Sequence, residues 1–404
     1  MANTILTPTE ITRKTGLILR NSLGFGKRCA RRYDERFAVT GAKIGSTLDV
    51  RIPPRYLVTK AEALTTQDST ETKRTLTVGY AHVGLIFSQT DLVLSVNSFA
   101  DQFLNSAAAA LGNQIDLDGT ELYKSVFNVV GTTGSGAPTS LATYQTARAK
   151  LIEESVPQDG AWTMAINAAM EEKIIADLRG LFESNLELRR QYEEGEMRKA
   201  IGFAWKTDQN MFVHTCGTRV ASGAAQVDGI QTGSSLLLKL GGNALTVKKG
   251  DAFTIADVYA VNPQSRQSTG RLRQFVVTAD ATSTAGGAIT LAIYPAITPS
   301  GKDQTVNAAI VDSAAIIYNG AASAAGAQGL AFQKEAFSLT MVDQELPEGV
   351  HFAGRVSGEY AREWNIALRL VRQYTISDNQ IPCRIDALYG WLCGRPEAAC
   401  RVAA

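Results

Sequence analysis

Three of the chain's five cysteines, Cys383, Cys393 and Cys400, fall in one stretch, IPCRIDALYGWLCGRPEAACR (Ile381–Arg401). Thiolates bind zinc, and the segment HTC adds two further donors, His214 and Cys216. Structural zinc sites use tight pairs, with about two to four residues between ligands. Here nine residues separate Cys383 from Cys393, and six separate Cys393 from Cys400. Alternation offers a different role. On a strand, Cys383, Ile385, Ala387 and Tyr389 share one face while Arg384 and Asp386 take the other. Cys383 is then a buried, reduced thiol, and no metal ligand is expected.

Other chemistry-bearing residues resolve in the same direction. His82, His214 and His351 lie far apart, and no G-x-S-x-G elbow presents a nucleophile. GTTGSG (Gly131–Gly136) follows apolar FNVV, but Ala137–Pro138 stands where a phosphate cradle needs its lysine. A mobile surface loop is expected there. DLDGTE (Asp116–Glu121) lacks the first carboxylate and the closing glutamate of a calcium loop, and reads as a helix break with exposed acids. No catalytic residue and no cofactor is predicted, and the chain reads as a non-enzyme.

The elements around these residues suggest a protein of several parts. A length of 404 residues suits two or three cores. The formal net charge of +1 gives no global field toward nucleic acid or membrane, so a charged partner must meet a local patch. No apolar run approaches the roughly 18 to 20 residues that span a bilayer. The start lacks a basic-then-apolar leader, and an odd cysteine count fits a reducing cytoplasm. The local patch is Met1–Arg36, where Arg13, Lys14, Arg20, Lys27, Arg28, Arg31, Arg32 and Arg36 face only Glu10, Asp34 and Glu35. A helix is expected from TPTE, with Thr7 as N-cap, Pro8 at the first position and Glu10 closing a capping box.

Further on, alternation in GSTLDVRIPPRYLV and TLTVGYAHVGLIF around polar TTQDSTETK reads as a long hairpin. With little core of its own, such a hairpin needs another surface, expected to be another chain. Val96–Val130 reads as one long helix interrupted near Gly112 or Gly119. Helices are expected at Tyr144–Ser155 and Ala168–Phe182, with a strand at Ala161–Asn167 between them. Short β-runs at about ten-residue spacing from Ser234 to Tyr318 suggest a separate barrel or sandwich inserted in a parent domain.

Four stretches resemble the major capsid proteins of tailed phages. EESVPQDGAWTMAINAAMEEKIIADLRGLF (Glu153–Phe182) is similar to their helix, Val-Pro-x-x-Gly turn, strand and helix. EGEMRKAIGFAWKTDQNM (Glu194–Met211) resembles the segment that follows. Tyr389–Gly390 with Arg395–Ala398 is similar to the closing strand of coat proteins from P-twenty-two-type short-tailed phages. TVKKGDAFTIADV resembles part of the β-domain inserted in those coats.

The resemblance implies an α+β, Hong Kong 97-like capsid fold. It would assign residues 1–40 to an N-terminal arm, 41–85 to an extended loop, and 86–130 to a peripheral domain with a spine helix. Residues 131–221 would form the first part of an axial domain, 222–330 an inserted β-barrel-like domain, and 331–404 the return to the axial and peripheral core. It implies self-assembly as hexamers and pentamers into an icosahedral shell around double-stranded DNA, assembled in the host cytoplasm with a scaffolding protein and a portal at one vertex. No membrane partner is implied. Arg13, Lys14, Arg20, Lys27, Arg28, Arg31 and Arg32 would then meet acidic scaffold residues or DNA phosphate. An encapsulin-like compartment and a metal-dependent enzyme built on His214, Cys216 and the C-terminal cysteines are the competing readings.

Overall fold

The computed structural model describes residues 8–34, 47–52, 54–60, 62, 66–67, 71–88, 99–178, 199–220, 222–242, 244–356 and 359–404. Among them the chain is mixed α/β, with few helices and dominant sheets. It divides into two compact units. One comprises Met1–Arg51, Lys73–Gly119 and Phe337–Gly394; the other comprises Ile52–Thr72, Thr120–Ala336 and Arg395–Ala404.

The first unit is organised by the strand Gln380–Cys393. It pairs with Phe337–Val342, Arg369–Arg372 and Gly79–Ser88, while Ala30–Asp34 and Phe352–Arg355 extend the sheet. Cys383, Ile385, Ala387 and Tyr389 enter one apolar core with Leu19, Leu111 and Ile115. On the opposite face Asp386 is fully buried, with Arg369 Nη2 2.7 Å from its Oδ2 and Arg384 Nε on its other oxygen. Thr47–Ile52 and Thr72–Thr77 pair as a separate two-stranded ribbon. Thr7, the expected N-cap, lies outside the described residues; the first helix is Pro8–Ser22.

The long helix, Phe99–Thr120, corrects two expectations. It is not interrupted at Gly112. A Cβ there would meet Ser22 Oγ at 2.2 Å, and one at Gly119 would meet the Trp391 ring at 2.5 Å. These glycines admit neighbours to the helix surface rather than break it. The helix also ends at Thr120, not Val130. Glu121–Ser125 is a 3-10 turn, and Val129–Gly131 is a strand parallel to Ala399–Ala403, where β-branched valines suit an extended, buried backbone. The stretch DLDGTE is a helix break only in part exposed: the helix does end within it and Glu121 is exposed, but Asp116 is buried. Asp116 Oδ2 accepts from the N–H groups of Gly24 and Phe25 at 2.5 and 3.2 Å, and its Oδ1 accepts from Gly26 at 2.8 Å. The Tyr389 hydroxyl donates to Asp118 Oδ2 at 2.6 Å.

The second unit holds a mixed sheet in the order Val129–Gly131, Ala399–Ala403, Ala325–Gln333, Trp162–Ile166, Phe203–Thr207 and Lys199–Ala200. Val213–Thr215 also pairs with Ala325–Gln333. The helix Leu141–Glu153 begins earlier than expected because Ser140 caps it, accepting from Ala142 N–H. Ala168–Leu178 is the next helix. GTTGSG is tied down rather than mobile. Thr133 N–H donates to Asn319 Oδ1 at 3.0 Å, and Gly134 N–H donates to the Ala404 carbonyl at 2.7 Å.

Six antiparallel strands between Gln226 and Tyr318 form a second sheet: Gln226–Val227, Gly233–Lys239, Ala288–Ile297, Ser268–Val277, Ala252–Val261 and Ile316–Tyr318. Its ends meet. Gln226 bridges Ala315, Val227 N–H donates to Ala314 O, and Ile316 N–H donates to Ala225 O. The sheet therefore closes into a barrel, which removes its exposed edges. Its interior is a core of buried hydrophobic residues, including Leu238, Phe253, Phe275, Leu291 and Ile316.

Candidate functional site

A group of buried ionisable side chains in the second unit forms around Asp251. The turn Lys248–Asp251 fixes this carboxylate locally, since Lys248 N–H donates to Oδ2 at 2.9 Å. Gly250 carries φ +96°, a backbone state that L side chains rarely adopt. Gly217 N–H donates to the same oxygen at 3.1 Å. His214 Nε2 lies 3.0 Å and Arg219 Nη1 2.6 Å from Oδ1. His214 is the inward residue of Val213–Thr215, and its Nδ1 meets the Tyr123 hydroxyl at 3.1 Å. Arg219 Nη2 donates to the carbonyls of Asn319 and Gly320, and its guanidinium lies 4.7 Å over the Tyr318 ring. Arg401 Nη1 donates to Gly250 O at 2.7 Å.

Burial alone would raise the Asp251 carboxyl. The His214 hydrogen bond, the Arg219 charge and the Lys248 N–H outweigh it and bring the group down to about 2. Burial pushes the Tyr123 phenol up to about 12 and Arg401 down to about 10. Burial also raises the Cys216 thiol.

Donor atoms of His214, Cys216 and Asp251 come within 4.8 Å of one another, a spacing a metal could use. The surroundings do not fit one. Arg219 already sits on the Asp251 carboxylate, so a cation there would face a fixed positive charge. The arrangement is an ion-pair lock joining the barrel strand Ala252–Val261 to Val213–Thr215, the 3-10 turn at Tyr123 and the strand Ala399–Ala403.

Sequence reasoning singled out His214 and Cys216 but paired them with the C-terminal cysteines. Cys383 and Cys393 instead serve the first unit's sheet, while Cys400 is buried in the second, its thiol pushed up to about 11 by burial. All five cysteines are buried, and no disulfide joins them among the described residues. The missed partners, Asp251 and Arg219, had one readable signal, the KKGD turn before an alternating strand.

The seven basic residues expected to meet scaffold or DNA divide by environment. Arg13 lies 4.4 Å over the Tyr360 ring, Arg20 lies 5.9 Å over Trp364, and Arg31 Nη1 donates to Trp364 O at 3.1 Å. Burial, then the Arg20 charge, lowers the Arg31 guanidinium. Lys14, Lys27 and Arg32 are exposed, and Arg28 is half-buried.

The family model described as P22 coat protein, gene protein 5, matches residues 64–401. No curated protein sequence matches the chain. Several solved structures are similar over nearly their whole length. A Mycobacterium phage Che8 structure is 10% identical, with 94% of this chain and 90% of that chain covered and a TM-score of 0.45. The capsid of cyanophage P-SCSP1u is 9% identical over 95% and 88%, with a TM-score of 0.47. The capsid of a native GTA particle is 9% identical over 100% and 92%, with a TM-score of 0.45. These are distant likenesses of shape, and the assignment rests on the family match. It runs through the strand Thr72–Thr77, the long helix, the barrel and the strand Gln380–Cys393, so the chain belongs to the P22 coat protein family and is a major capsid protein of a tailed bacteriophage.

Proposed function

We propose that copies of this chain close as hexamers and pentamers into an icosahedral shell around double-stranded DNA, with a scaffolding protein during assembly and a portal at one vertex. The family match over residues 64–401 carries this reading. The work is mechanical. Each subunit makes several modest contacts, and closure makes them mutually reinforcing.

On this reading the chain adopts the Hong Kong 97-like plan. Residues 1–40 are the arm, 41–85 the extended loop, and 86–130 the peripheral domain with its spine helix. Residues 131–221 begin the axial domain, 222–330 are an inserted domain, and 331–404 complete the core. Assembly occurs in the host cytoplasm. The arm's cations meet acidic scaffold or DNA phosphate, a contact that weakens with salt. Because Arg13, Arg20 and Arg31 engage Tyr360 and Trp364, that role falls to Lys14, Lys27, Arg28 and Arg32.

Negative-stain microscopy of the expressed chain, with and without its scaffold, tests the reading. Closed shells or rings are expected. A stable monomer that stays single with scaffold would overturn it, and shells holding a protein cargo instead of DNA would point to a compartment. Neutralising Lys14, Lys27, Arg28 and Arg32 should impair assembly or DNA retention; shells that form and fill normally would sink the charge role.

A further inference from the structure

Two small cavities lie in the second unit, of about 20 Å³ and about 40 Å³. Both are lined by Glu154 and Arg273, so they adjoin. The smaller lies where the helix Leu141–Glu153 faces the barrel strand Ser268–Val277. The larger extends to Arg55 and Glu397, which are 3.5 Å apart.

Most strong donors here are used. Lys150 Nζ donates to Val129 O at 2.6 Å and Gln274 Oε1 at 2.5 Å, and Arg273 Nη1 donates to Glu154 Oε1 at 2.5 Å. Two are not. Arg273 Nε and Asn128 Nδ2 have no protein partner, although their residues are only 4% and 5% exposed. Both residues line the smaller cavity. A buried N–H without an acceptor is destabilising, and native proteins rarely leave one dry. The carboxylates of Glu153 and Glu154 keep spare lone pairs beside the same space. The missing group must accept from nitrogen and donate to carboxylate. Water does both. An anion would accept but has no proton to donate to the two glutamates. Each cavity exceeds the roughly 10–15 Å³ that one water needs.

We propose that this seam is a hydrated joint, in which bound water links Arg273 Nε and Asn128 Nδ2 to the Glu153 and Glu154 carboxylates. The barrel is thus held to the helix by water-mediated as well as direct bonds. Its own core is closed and apolar, while its attachment here is ionic and wet.

High-resolution cryo-microscopy of the full chain tests this directly. A density peak is expected within about 3 Å of both Arg273 Nε and Asn128 Nδ2. An empty cavity, with both donors turned onto protein acceptors, would overturn the proposal, as would a peak that bromide replaces. A second measurement uses Ala260→Leu, which fills the smaller cavity, beside Ala260→Ser. Displaced water should lower the Tm of the leucine variant by on the order of 5 °C relative to the serine variant. A leucine variant at least as stable as wild type would mean a dry cavity. Should it fail to fold, the density measurement still decides.

Discussion

The barrel core and the lock around Asp251 are both sealed from solvent. Leu238, Phe275 and Leu291 are 0% exposed; Asp251, Arg219 and His214 are 1%, 2% and 4% exposed. In the barrel the stabilisation is non-directional and spread over twenty hydrophobic residues, so each loss is local. In the lock one carboxylate serves two side chains and two backbone N–H groups, so removing it strands four partners at once. Sealed apolar surface tolerates graded change, whereas a buried ion pair fails as a set.

The largest expected effect follows. Asp251→Ala should destabilise the full chain by about 3–5 kcal/mol, because Arg219 is left buried and uncompensated. Leu291→Ala should cost about 3 kcal/mol by opening a cavity in the barrel. Chemical denaturation of both variants checks the order; a larger loss from Leu291→Ala would reverse the comparison. Asp116→Ala, in the first unit, should cost about 2–3 kcal/mol, since three backbone N–H groups lose their acceptor. That value tests whether a carboxylate held by backbone N–H groups is worth less than one facing an arginine.

The lock should also show in acid. Asp251 sits near 2 in the folded chain, below its ordinary value. Its contribution, about 2 kcal/mol, is therefore complete above pH ~4 and lost as pH falls from about 4 toward 2. Stability curves of wild type and Asp251→Asn should converge over that window. The smallest effect has the opposite sign. Ile201 holds φ 55°, which a β-branched residue tolerates poorly, in the turn before Gly202. Ile201→Asn should stabilise by about 0.5–1 kcal/mol, measured by the denaturation midpoint.

Period-two alternation made Cys383, Ile385, Ala387 and Tyr389 readable as one buried face. Regular β-runs with turn punctuation did the same for the strands between Gln226 and Tyr318. Other features were hidden because their partners are remote in sequence. Gly112 looks like a helix breaker until Ser22 and Leu19 approach it. Asp116 looks solvated until the Gly24–Gly26 turn closes on it. The lock was half visible in HTC, but its partner Asp251 lies 37 residues beyond His214.

What the sequence alone determined was local: periodicity, caps, turns, and a spacing of cysteines unsuited to zinc. These depend on neighbours within a few residues, where chain geometry fixes direction. Tertiary structure decided which polar groups became buried partners, where the long helix ends, and that the six-stranded sheet closes on itself. Each of these depends on groups brought together across scores of residues, where no local spacing sets distance or orientation.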